Sequence, residues 1–97
     1  MKRARFLDPA EEEMFDAAGY YEIRTKNLGK EFLREVQMAI EEIEENPVRW
    51  PIGRYGVRQR LLSRFPYTVI YRAEVEEVVI VAIMHAHRRP FYWKNRL

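Results

Sequence analysis

Cysteine is absent from this 97-residue chain, which excludes a disulfide framework and thiolate metal sites and removes any need for an oxidising compartment. Histidine is scarce, with 2 residues, and a metal site built on His85 and His87 lacks further clustered ligands. Long apolar runs are missing too. The longest, Val78 to Met84, is seven residues, far short of the roughly 20 that cross a bilayer, and it reads as a buried strand. The basic start, Lys2-Arg3-Ala4-Arg5, has no apolar segment behind it. No secretory leader, membrane association or cofactor is therefore expected, and cytoplasm is the expected location.

What is present describes one ordinary globular domain over residues 1–97, with 47% hydrophobic and 33% charged residues. The net charge of +2 hides an asymmetry. Residues 1–47 hold 7 Lys/Arg against 12 Asp/Glu, a net −5, and residues 48–97 hold 10 against 3, a net +7. A basic second half favours an acidic partner, nucleic acid or protein, by long-range attraction; equally, it describes a solvated face.

Residues 3–7 read as an opening strand closed by Asp8-Pro9, where Asp8 suits a helix cap, Pro9 the first helical position and Glu11 a capping box. Glu11, Glu12 and Glu13 then complement the helix dipole. Ala10, Met14, Ala17 and Tyr21 recur at helical spacing. Asn27 to Gly29 reads as a break, followed by a second amphipathic helix with Phe32, Leu33, Val36, Ile40 and Ile43 on one side and a solvated glutamate face on the other. Asn46-Pro47 ends it. The Pro/Gly/aromatic run to Gly56 reads as an ordered connector. Val57–Arg64, Tyr67–Ala73 and Val78–His87 are β-rich and closely connected, which predicts an antiparallel meander. The architecture predicted is α+β, β-α-α-β-β-β, with a helical hairpin on one face of a mainly antiparallel sheet and the other face free to work.

Three groups of residues carry candidate chemistry. Strand alternation places Arg58, Arg60 and Arg64 on one side, a row of guanidinium forks fitted to phosphate or carboxylate, or else a row that keeps an open sheet face soluble. The same alternation aligns His85 and His87 with Val79, Val81 and Ile83; a histidine pair suits general acid/base work, or hydrogen-bonded structural roles. The tail from Arg88 to Leu97 interleaves Arg88, Arg89, Lys94 and Arg96 with Phe91, Tyr92 and Trp93. That mixture either binds RNA by stacking and phosphate contacts or folds Phe91 and Trp93 back onto the sheet with Tyr92 outward.

Tyr20-Tyr21-Glu22, the stretch Phe65-Pro66-Tyr67-Thr68-Val69-Ile70-Tyr71-Arg72 and the ending Ile83-Met84-His85-Ala86-His87-Arg88-Arg89-Pro90-Phe91-Tyr92-Trp93 resemble the pattern of the RelE/ParE toxin superfamily over nearly the whole chain. The resemblance implies the toxin of a type II toxin-antitoxin pair, held by a cognate antitoxin in a hetero-oligomer. Its two branches act differently: RelE-like members cut mRNA on the ribosome, ParE-like members inhibit DNA gyrase and are not nucleases. Where RelE-like nucleases carry basic residues, this chain has Gln59, Leu61, Thr68 and Ala86. Tyr92 falls where the nuclease pattern has a catalytic tyrosine, and with His87 and Arg60 would make up a nuclease set; the ending is closer to ParE-like sequences, which implies gyrase as target. Arg58, Arg60, Arg64, His85, Arg88, Arg89 and Trp93 are the expected target- or antitoxin-binding residues. A module that has lost toxicity and keeps only its antitoxin is the third alternative.

Overall fold

The computed structural model describes residues 2–97. Strand β1 (Arg3–Phe6) leads directly into α1 (Asp8–Arg24), which is followed by α2 (Leu28–Glu45), a short 3-10 turn, β2 (Arg58–Leu61), β3 (Tyr67–Ala73), β4 (Glu77–His85) and a C-terminal 3-10 turn (Lys94–Arg96). The sheet order is β1-β4-β3-β2. The last three strands form the expected antiparallel meander, and β1 lies parallel to β4, so the sheet is mixed. Among the described residues no helix is long and apolar enough to cross a membrane.

The helical hairpin packs where its apolar spacing sends it. Ala10, Ala17, Ala18, Phe32, Val36, Ala39, Ile40 and Ile43 are buried against Val69, Tyr71, Val78, Ile80 and Ile83 of the sheet. At roughly 1.5–3 kcal/mol for each large side chain removed from water, this layer is the main source of stability. Its aromatic heart is Tyr21, Phe32, Phe65 and Tyr67, with ring centroids 4.9 to 6.3 Å apart, mostly edge to face.

Several local expectations shift. Asp8 does not cap α1: the strand runs on, Leu7 N–H still bonds the Ile80 carbonyl, and the Leu7 carbonyl takes the first helical bonds from Ala10 and Glu11. Leu7 is the cap residue and Pro9 sits one place further in. Nor is Gly29 a breaker. The turn occupies Thr25 to Asn27, with Asn27 left-handed at φ 72°, and Gly29 lies in the first turn of α2. It is there because a Cβ at that position would stand 2.5 Å from the Ala18 carbonyl oxygen and 3.0 Å from the Glu22 Cβ. Its N–H also bonds the Glu22 carboxylate at 3.0 Å. Gly29→Ala is accordingly expected to cost about 1–3 kcal/mol by forcing the two helices apart. A thermal melt followed by circular dichroism checks this; an unchanged melting temperature would mean the helix contact is slack.

Strand β2 stops at Leu61 rather than Arg64. The Glu35 carboxylate accepts hydrogen bonds from the backbone N–H groups of Ser63 and Arg64 at 2.7 and 2.9 Å, which pulls this stretch off the sheet toward α2. Burial by itself would raise the Glu35 pKa, and these bonds to its ionised form hold it below the ordinary carboxylate value.

Candidate functional site

The sheet face away from the helices is not bare. Val57, Ile70, Val79, Val81 and Ala82 form a second apolar layer, and Trp93, 1% exposed, lies on it with Phe91 and Tyr92 packed alongside. The C-terminal segment thus closes the far face with Phe91 and Trp93, as the aromatic content suggested. Tyr92, however, does not point outward. Its hydroxyl donates to the Glu13 carboxylate at 2.7 Å.

Glu13 is the hub of this region. Both guanidinium Nη atoms of Arg96 bond its two carboxylate oxygens at 3.0 and 2.9 Å, and Ile83 N–H donates to Oε1 at 3.0 Å. Arg88 comes within 3.9 Å, with its guanidinium 3.8 Å from the Tyr92 ring centroid. A backbone mismatch explains the need. Strand β1 pairs with β4 only as far as Ile80, and beyond that the outer edge of β4 would be unsatisfied. Arg96 donates to the Val81 carbonyl at 2.9 Å and Glu13 accepts from Ile83 N–H, so this ion pair continues the edge where β1 stops.

Burial first, then the hydrogen bond to Glu13, push the Tyr92 phenol far above its ordinary value of 10.0. A group whose folded pKa is raised lends stability that is complete below its unfolded pKa and is lost as pH climbs past it. The melting temperature of the native chain is therefore expected to fall more steeply from about pH 9 to about pH 11 than that of Tyr92→Phe. Parallel slopes would show that the phenol is not held as described.

The β4 alternation breaks at a bulge. Ile70 pairs with Ala82 but Tyr71 with Ile80, so Val81 is the extra residue. Val79, Val81 and Ala82 consequently share the far face, while Ile83 turns to the helical side, against the expected common row. Strand β4 ends at His85, and His87 belongs to the turn beyond. The histidines still meet: their ring centroids are 5.3 Å apart, and His87 N–H donates to His85 Nδ1 at 3.0 Å. His85 packs on the Tyr67 ring and borders a cleft with Glu13, Asp16, Tyr20 and Arg88.

The arginine row also needs correcting. Register places Arg58 and Arg60 opposite Tyr71 and Val69, which face the helices, so both lie at the helical side of the edge strand and not on the far face. Arg58 donates to the Trp50 carbonyl at 2.6 Å, Arg60 pairs with Glu42 at 3.1 Å, and Arg64, off the strand, meets Glu31 at 3.4 Å. Two of the three are neutralised by glutamates of α2, Arg60 by Glu42, which read as part of a solvated face, and Arg64 by Glu31. Nor do Arg60, His87 and Tyr92 converge. They are held by Glu42, by the turn after β4 and by Glu13 respectively, and no hydrogen bond or ring contact joins them. Arg89 is exposed and has no carboxylate within 4.0 Å among the described residues, whereas Trp93 is buried against the far-face layer and supports the segment. Among the described residues no cluster of three His, Asp or Glu is placed to hold a metal.

The motifs that mark the chain are fold determinants here. Tyr21, Phe65 and Tyr67 build the aromatic heart, and Glu22 fastens the interhelical turn through Asn27 and Gly29 N–H groups. A helical hairpin on a β1-β4-β3-β2 sheet is the α+β architecture that the resemblance to RelE/ParE toxins implied. Within it, residues 4–90 match the family described as ParE toxin of type II toxin-antitoxin system, parDE, and the chain belongs to that family. A solved chain of the chromosomal ParDE toxin-antitoxin system from P. aeruginosa has the same fold, with a TM-score of 0.78 at 15% identity over 90% of this chain and 98% of that one. No curated protein matches the chain.

Proposed function

We propose that this toxin acts as ParE-like proteins do, by inhibiting DNA gyrase, and that a cognate antitoxin neutralises it. Membership of the ParE toxin family over residues 4–90 carries the reading. Two features of the site support the non-nuclease branch. Metal-free RNA cleavage needs a base, an acid and cations gathered around one phosphate. Here Tyr92 is tied to Glu13 and Arg60 to Glu42, and neither touches His87. Gln59, Leu61 and Thr68, three of the positions where RelE-like nucleases carry basic residues, share the far face without a charge among them.

The antitoxin docks on the helical side. Phe6, Met14, Leu33 and Ile40 line a groove of about 400 Å³ between the helices and β1, with Phe15, 55% exposed, on its lip and Glu41 and Glu44 beside it. An apolar floor with an acidic rim fits an amphipathic helix flanked by Lys or Arg. Arg64 and, by exchange of its glutamate, Arg60 engage the same partner along the β2 edge. The His85–Arg88–Arg89 end of the sheet serves the target. In a supercoiling assay with purified gyrase, adding the toxin is expected to suppress supercoiling and adding the antitoxin to restore it. Gyrase that works undisturbed removes this target.

A further inference from the structure

Two bulky residues of the far side hold a backbone conformation that suits glycine. Tyr55 has φ 64° and Phe91 φ 59°, both in the left-handed region. They come from different ends of the second half of the chain and meet, with ring centroids 5.5 Å apart at 65°. The guanidinium of Arg54 stands 5.2 Å from the Phe91 centroid and 5.8 Å from that of Tyr55. Behind them Trp93 is buried, 6.0 Å from Tyr55 and 5.9 Å from Phe91, so the pair rests on a rigid base. Glycine at either position would relieve the backbone, and the aromatic side chains are only partly used by the fold: Tyr55 is 46% exposed, and nearby in sequence Ile52 is 62% exposed. A strained backbone that carries an exposed ring points to a contact made outside the chain.

The charges around it are also unspent. Arg60, Arg64, Arg88 and Arg96 each have a carboxylate within 4.0 Å, whereas Arg54, Arg89 and Lys94 have none among the described residues. Arg89 and Lys94 belong to the tight turns that carry Phe91, in which Tyr92 N–H bonds the Arg89 carbonyl and Lys94 N–H the Phe91 carbonyl. Cations free of partners beside exposed tyrosine and arginine are the composition of a protein-binding hot spot.

We propose that Arg54, Tyr55 and Phe91 form the contact by which the toxin grips its target, a protein surface that offers carboxylates around an apolar hollow. The claim rests on the reading of the chain as a toxin but does not depend on gyrase being the victim. Nucleic acid fits less well. Successive bases need flat, open ring faces, and here the rings stand edge to face with Arg54 against Phe91.

Tyr55→Gly, Phe91→Gly and Arg54→Glu test the proposal in the full chain, expressed with and without a cognate antitoxin. Tyr55→Gly is expected to melt at or near the native temperature, Phe91→Gly below it because Phe91 also packs on the far-face layer, and both to co-purify with antitoxin as before. All three should need at least about tenfold more toxin to arrest growth. A merely structural role would lower melting temperature and potency together in Tyr55→Gly and leave the exposed Arg54→Glu fully toxic, and that result overturns the proposal. Glycine variants as toxic as the native chain overturn it equally. So does native toxin that binds a single-stranded RNA 20-mer through these residues. If gyrase is unaffected while the variants still lose growth arrest, the target reading falls and this surface stands. If the native chain arrests nothing, both fall.

Discussion

Glu13→Ala is expected to lower stability by about 3–5 kcal/mol, the largest effect of any single charged residue in the chain. The carboxylate is only 16% exposed and Arg96 only 18%, so the pair is largely shielded from solvent and its rupture is not softened as at a surface. Removing Glu13 leaves a largely shielded guanidinium without its counter-charge, an unpartnered Ile83 N–H on a sheet edge and a half-buried phenol without an acceptor. For a chain of this length such a loss corresponds to a fall of more than about 10 °C in melting temperature. Arg96→Ala should fall by less, because Tyr92 and the Ile83 N–H keep the carboxylate solvated by hydrogen bonds. Thermal melts of the two variants, with the double variant closing the cycle, measure the coupling. Additive losses would show that the two groups do not act as a unit.

That hub was invisible to local reading, for a physical reason. Glu13 closes an acidic run near the start of α1 that the helix dipole accounts for, and its partners lie 70 to 83 residues away. Periodicity reports which face of an element is apolar, and it did so for both helices. It says nothing of which carboxylate meets which guanidinium. The same gap misplaced the arginines: alternation correctly put Arg58 and Arg60 on one side, but which side depended on register against β3. The Val81 bulge reversed Ile83 because an extra residue flips every later side chain, and no residue type announces it. Gly29 misled in another way. A glycine near a turn reads as a breaker, whereas here it admits the Ala18 carbonyl. The aromatic tail was legible since three rings in a row have little choice but to find apolar surface. Its geometry was not, as Tyr92 turned inward to a charge contributed by α1.

Trp93 ties stability to the target surface, and its substitutions should separate the two. Trp93→Ala removes the largest fully buried side chain, the one that covers the Val57, Ile70, Val79 and Val81 layer. The expected cost is about 3–5 kcal/mol, transfer and cavity together. It should be accompanied by loss of growth arrest, because Tyr55 and Phe91 lose the ring against which they stand. Trp93→Phe is the informative partner. The Trp93 indole N–H is buried with no hydrogen-bond acceptor, and such a donor is a liability of roughly 1–3 kcal/mol. Phenylalanine removes it and leaves a smaller void, so the two changes oppose each other and the net loss should stay within about 1.5 kcal/mol. The variant should also keep most of its toxicity, since the apolar support survives. A Trp93→Phe loss as large as that of Trp93→Ala would mean that the indole N–H has a partner after all and that the ring is held by a polar contact, not by packing on the sheet.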